Sequence, residues 1–228
     1  MNSYAATRPL TQLVDYFGGE LVDVTKAGTG FDYHERNLFN RILTDKPEKA
    51  LIIWGLSFWH RFELGYRDIK DRRTVDYIQF NPSSIIQNSM ALDFGFHHAE
   101  LKSLPEQLFK HKTYVTDPYI EKHFRDLIYI SGWLKNNNHE HIIFNFADGG
   151  YPKFLKQNLN YNVLFEKDAG FVDLKNFQMN RWLFDNGVEP DPDNLKTITR
   201  DICHPVVDEN LKQIMSKFLI NYYEEKLK

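Results

Sequence analysis

The sequence has one cysteine, Cys203, in 228 residues. No disulfide can form within the chain, and a reducing compartment is allowed. It has no excess of basic charge either: 28 Lys and Arg stand against 31 Asp and Glu, a formal net charge of -3. That balance argues against nucleic acid or an anionic membrane as the main partner. No apolar run approaches the roughly 18 residues that a membrane span needs. The start, "MNSYAATRPL", lacks the apolar core of a signal peptide, so a soluble protein is expected. The 12 glycines and 9 prolines are dispersed rather than gathered into a linker. With no repeat and no low-complexity tract, a single domain over residues 1–228 is expected. Aromatic residues are not scarce. They make up 15% of the chain, more than an ordinary core requires, and some are expected to line a groove.

Hydrophobic periodicity divides the chain into alternating helices and strands. Leu10, Leu13, Val14 and Phe17 fall at helical spacing and run into Gly18-Gly19. "ELVDVTKAGTGF" reads as a short strand entering a glycine loop. Leu38, Phe39, Ile42 and Leu43 return to helical spacing, with Pro47 beyond the end. "KALIIWGLS" and "HIIFNFADGGYP" are continuous apolar runs, the pattern of strands buried on both faces of a parallel sheet. Between them "DPYIEKHFRDLIYISGWLKNNN" predicts a helix through Ile120, Phe124, Leu127, Ile128 and Leu134, with an Asn-rich end. A last helix follows, with Val207, Leu211, Ile214, Met215, Phe218, Leu219 and Tyr222 on one face. This order predicts an α/β layered fold. Residues around 65–116 carry no clear period and are expected to form an irregular insertion.

Sites in open α/β sheets lie at the carboxyl ends of strands. Three such ends stand out: Gly28 with Gly30, Gly55 to Ser57, and Asn145 to Asp148. "AGTGF" has Tyr33 where a dinucleotide fingerprint wants its third glycine, so a plain turn is the better reading. His111-Lys112-Thr113 has no second copy, which two-histidine phosphoester chemistry would need. His139 and His141 share one face of a strand start. Zinc wants three or four convergent ligands, so polar residues capping a strand are the better reading. No cofactor or metal is expected. Asp201 and His204 differ in kind. An acid three residues before a histidine in a loop can reach Nδ1, leaving Nε2 to take a proton from a serine. A following helix N-terminus would disfavour the imidazolium. The plainer reading is a capping acid beside a solvated histidine.

Taken in order, these pieces resemble the SGNH (GDSL-type) hydrolase superfamily, most of all its divergent bacteriophage-encoded members. "NSYA" at 2–5 resembles the nucleophile turn, with Ser3 at the serine. "VDVTKAGTGFD" resembles the second block, with Gly28 at the glycine whose N–H serves the oxyanion hole. "IIWGLSFWHRFE" resembles the third, with Ser57 where the family has asparagine, and "DICHPVVDENLK" matches the last. The resemblance covers most of the chain outside residues 65–116 and 150–195. It implies a three-layer α/β/α, flavodoxin-like fold with a mostly parallel sheet. The family's first strand is expected either to be absent or to precede Met1. It also implies a serine esterase acting on a small acyl ester, an O-acetylated carbohydrate being the substrate class suggested. Ser3, Asp201 and His204 would be the triad, and Gly28 and Ser57 would serve the oxyanion. Location would be the cytoplasm of an infected host cell or a virion. Two rivals stand beside this: a catalytically weak or silent binding or virion-associated protein of the same fold, and a hydrolase with Ser57 as nucleophile. The sequence specifies no oligomeric state.

Overall fold

The computed structural model describes residues 11–24, 31–56, 62–67, 75–80, 112–147, 150–196 and 204–228. Of the expected site residues, only His204 falls among them. Ser3, Gly28, Ser57 and Asp201 lie outside. The chain divides into two compact units. The first takes residues 1–25, 46–57 and 126–228; the second takes 26–45 and 58–125.

The first unit is organised by a parallel strand pair. β1 (Leu51–Leu56) runs beside β4 (Glu140–Asn145), in register from Leu51 opposite Glu140 to Leu56 opposite Asn145. On its other side β4 bridges in parallel to Phe171. There Ile143 N donates to Gly170 O at 2.8 Å, and Val172 N donates to Ile143 O at 2.9 Å. β4 therefore has neighbours on both edges, and every residue from His141 to Asn145 is buried, as its unbroken apolar run implies. β1 instead alternates, with Ile52, Trp54 and Leu56 buried and the residues between them half-buried. Gly55 permits this pairing, because a Cβ there would meet the Phe144 ring at 3.2 Å and Phe146 Cβ at 3.3 Å.

One face of the pair carries Leu51 and Ile53 with Ile142 and Phe144, as alternation along paired strands requires. It packs into a core with Leu13 of α1 (Thr11–Phe17), Met179 and Leu183 of α6 (Met179–Asp185), and Leu211 and Leu219 of α8 (Glu209–Lys226). Aromatic rings close this layer. Phe218 stacks on Phe177 with centroids 5.1 Å apart and meets Trp182 at 4.8 Å, while Phe17 meets Tyr223 edge-on at 4.8 Å. Much of the unusual aromatic content on α8 is thus core rather than groove.

Local chemistry sets the helix ends. α1 stops at Gly18, whose φ of 68° is the left-handed conformation that glycine adopts without cost. α3 (Lys112–Asn136) begins five residues before the expected Asp117 and stops where the asparagines begin. Asn138 takes φ 61°, tolerated by a short polar side chain, and His139 N donates back to Leu134 O at 2.9 Å. α8 starts at an N-cap, Asp208, whose carboxylate accepts from Leu211 N at 2.8 Å. Between β4 and α8 lie short helices: α4 (Tyr151–Gln157), α5 (Leu159–Glu166), α6 and α7 (Pro192–Leu195).

The second unit contains α2 (Phe31–Asp45), the first half of α3, and an antiparallel pair, β2 (Phe62–Arg67) with β3 (Val75–Phe80). Phe31 stacks on the ring of His123 at 4.3 Å, and Asp32 accepts an ion pair from Lys122 at 3.3 Å.

Two expectations are corrected. Residues 20–24 form no strand: Leu21 and Val22 are 41% and 38% exposed, so their β-forming side chains have no buried surface to join. Val207 is also exposed and precedes α8 instead of joining its apolar face. The mixed α/β character stands. Among the described residues no helix is long and apolar enough to cross a membrane.

Leu219 is fully buried at the centre of the core. Leu219→Ala is expected to destabilise the protein by about 2–5 kcal/mol, read as a lowered urea midpoint with an unchanged m-value.

Candidate functional site

β1 and β4 end side by side, Leu56 opposite Asn145, at the edge where a parallel sheet gathers its ligands. Asn145 is fully buried there. Its Nδ2 donates to Leu174 O, which pins the strand end to the segment after Phe171. Phe146 N continues the ladder to Leu56 O at 2.9 Å, and Phe146 O accepts from Asn180 N, also at 2.9 Å. The strand end is thereby tied to the start of α6. Trp54, two residues before Leu56, is buried.

His204 occupies the turn before α8 and is exposed. Its neighbour Pro205 is buried and bridges antiparallel to Pro190. Val206 N donates to Glu189 O, and Asp191 N donates to His204 O, both at 2.8 Å. His204 therefore stands on a short two-stranded ribbon and not on the apolar stripe of α8. The expected influence of the helix N-terminus is taken up elsewhere. Asp208 caps that terminus four residues further on, and a macrodipole acts only within about the first turn.

A second polar cluster lies at the opposite end of β4, and its centre escaped the sequence reading. Asp168 accepts from Ser131 Oγ of α3, from Lys135 Nζ at 2.6 Å and from Gly170 N at 2.9 Å. His141 Nε2 lies 3.5 Å from its Oδ2. Burial by itself would raise the Asp168 pKa. The contacts from His141, Lys135, Ser131 and the Gly170 N–H outweigh it and hold the carboxyl well below the usual range. Gly170 has to be glycine, since a Cβ there would fall 2.2 Å from His141 Nε2. Tyr222 of α8 reaches the same loop, its hydroxyl 2.9 Å from Ala169 O and 3.0 Å from Phe171 O. Burial, then the charges of Asp168 and Asp173, push its phenol up to about 12.

Ser131, His141 and Asp168 are the residue types of a triad in the wrong order. The carboxylate sits in the middle, Ser131 donates to it, and both Ser131 and His141 are buried away from any substrate. The cluster is a brace joining α3, β4, the third strand segment and α8. Its one visible signal is "HEH": a histidine entering a buried strand needs a polar partner.

His139 is buried as well, and its Nδ1 accepts from Ala50 N at 3.2 Å, across to the residue before β1. Both histidines thus cap the start of β4. Glu140 between them accepts from Lys49 at 3.1 Å and from the Tyr223 hydroxyl at 3.0 Å. Among the described residues no group of three or more His, Cys, Asp or Glu is gathered as a metal would require. Comparison with protein-family models, with curated proteins and with solved structures finds no match for this chain.

Removing the hub of the brace is expected to cost far more than removing a spoke. Asp168→Ala leaves Ser131 buried without its acceptor, strips the carboxylate from beside buried His141, and should destabilise by roughly 3 kcal/mol. Lys135→Ala, at a half-exposed ion pair, should cost under about 1 kcal/mol. Urea denaturation at pH 7.5 distinguishes the two, and equal losses would contradict the hub.

Burial lowers the pKa of His139, and a proton on Nδ1 would break its bond from Ala50. The unfolded state then binds more protons below the unperturbed value of about 6.5, so this stability is present above that pH and is lost as pH falls below it. The urea midpoint should drop between pH 7.5 and 5.5. The drop should be smaller in His139→Asn, which keeps an acceptor but does not titrate.

Proposed function

We propose that the chain is a serine ester hydrolase of SGNH type acting on a small acyl ester, with an O-acetylated carbohydrate as the substrate class. The observation that carries this reading is the setting of His204. It is an exposed imidazole on a braced ribbon immediately before the last helix, where the block Asp201-Ile202-Cys203-His204-Pro205 calls for the general base. The parallel order β1, β4 and then the segment at Phe171, in chain sequence, supports the flavodoxin-like, three-layer sheet. So do the helices α1, α6 and α8 packed on one face and the tie from α3 through Ser131 to the loop beside His141.

In this reading Ser3 Oγ attacks the acyl carbonyl while His204 Nε2 takes its proton, and Asp201 holds the imidazole by Nδ1. The N–H groups of Ser3 and Gly28, with the Ser57 hydroxyl, receive the developing oxyanion. One such donor is worth roughly 3–4 kcal/mol. His204 then returns the proton to the leaving alcohol, and water resolves the acyl-enzyme by the same route.

The test is hydrolysis of p-nitrophenyl acetate together with fluorophosphonate labelling. The unaltered protein should hydrolyse the ester and be labelled at Ser3. His204→Ala should lower kcat by several orders of magnitude. It should shift stability by only about 0.5 kcal/mol, because the side chain is exposed. Hydrolysis that survives His204→Ala would overturn the assignment. Labelling at Ser57 would transfer the nucleophile there, and inactivity on every ester tried would favour a binding protein of the same fold.

A further inference from the structure

The ribbon beneath His204 has a register that its chemistry dictates. Proline has no N–H, so two prolines can face each other across antiparallel strands only where neither is asked to donate. Pro190 and Pro205 take such a position. The bonds come from their flanks, Val206 N to Glu189 O and Asp191 N to His204 O. Asp191 is therefore the residue directly across from His204. Directly opposed side chains leave on the same face, with Cβ atoms about 5.5 Å apart at a hydrogen-bonded position. That face is the one opposite the prolines. Pro205 is buried on its side, whereas His204 and Glu189 are exposed and Asp191 is half-buried on the other.

Asp191 is also held still. Its Oδ1 accepts from Asp193 N at 2.9 Å, and its carbonyl accepts from Leu195 N at 3.1 Å, which caps α7. Its charge is thus fixed by the helix it caps. Among the described residues, the charged groups of these two segments include Glu189, two positions along the same face, Asp208 at the cap of α8, and Asp193, which is paired with Lys196 at 2.7 Å.

We propose that Asp191 is a positioning carboxylate for His204, acting across the ribbon to orient the imidazole and to stabilise the imidazolium formed during acyl transfer. The proposal rests on the esterase reading and adds a residue that lies outside the Asp201–His204 block.

The experiment pairs an NMR titration of His204 at low salt, its resonance assigned by its loss in His204→Ala, with p-nitrophenyl acetate kinetics on the same samples. Asn caps helices about as well as Asp, so Asp191→Asn removes the charge and keeps α7. It should lower the His204 pKa by about 0.5 unit, the size of a carboxylate effect at this distance in water. It should also lower kcat at least tenfold with KM unchanged. Asp191→Glu should recover part of both, and Asp193→Asn should move neither. An unmoved pKa in Asp191→Asn overturns the proposal, while hydrolysis that His204→Ala abolishes would leave the esterase reading standing. A pKa shift with unmoved kcat also overturns the positioning role. A pKa shift in a protein that hydrolyses nothing supports the Asp191–His204 pairing and defeats the esterase reading instead.

Discussion

The parallel pairing of β1 with β4 is the constraint from which the first unit follows. Two parallel strands cannot be joined by a tight turn, so the chain has to travel back outside the sheet before the second strand begins. Here everything between Leu56 and Glu140 in sequence, including most of the second unit and all of α3, separates the two strands. Because the pair is parallel, its two carboxyl ends coincide, and so do its two amino ends. The polar chemistry then divides: Asn145 and the links to Leu174 and Asn180 lie at one end, and the histidines, Glu140 and Asp168 lie at the other.

The amino end shows how a buried strand start is made stable. Backbone and imidazole groups entering a dry interior must each find a partner. His139 takes the Ala50 N–H, Glu140 takes Lys49 and Tyr223, and His141 lies against Asp168. These contacts reach α3 and α8, so the two long helices are registered against the sheet by polar groups as well as by the apolar core. The triad-like composition of Ser131, His141 and Asp168 shows why geometry decides function. The same three side chains catalyse only when the imidazole stands between the other two and the hydroxyl can be reached.

Long, strongly periodic segments were legible from sequence: α1, α2, α3, α8 and both parallel strands. Their periods are set by burial, which the apolar residues record directly. Residues 20–24 were misread because β-propensity describes a fit to a half-buried surface, and Leu21 and Val22 have none. The β2–β3 pair was missed because "LGYRDIKDRRTVDYIQF" mixes charges into both strands and the residues between them, which hides a period of two. Helices α4 to α7 span only 4–8 residues each, too short to show a period. Of the expected site, His204 was placed in a loop ahead of the final helix, where it lies. Asp168 could not be found this way, because it is 27 residues from His141 and 37 from Ser131 along the chain.

The opposed prolines have a consequence for how this part of the chain tolerates change. A slip of one residue along the ribbon would place a proline where a donor is required, so only one alignment is available to Glu189–Asp191 and His204–Val206. The pairing thus holds Asp191 at the start of α7 and His204 ahead of α8. Substitution of either proline would relax that restriction, and the imidazole would lose the one alignment that sets it across from Asp191.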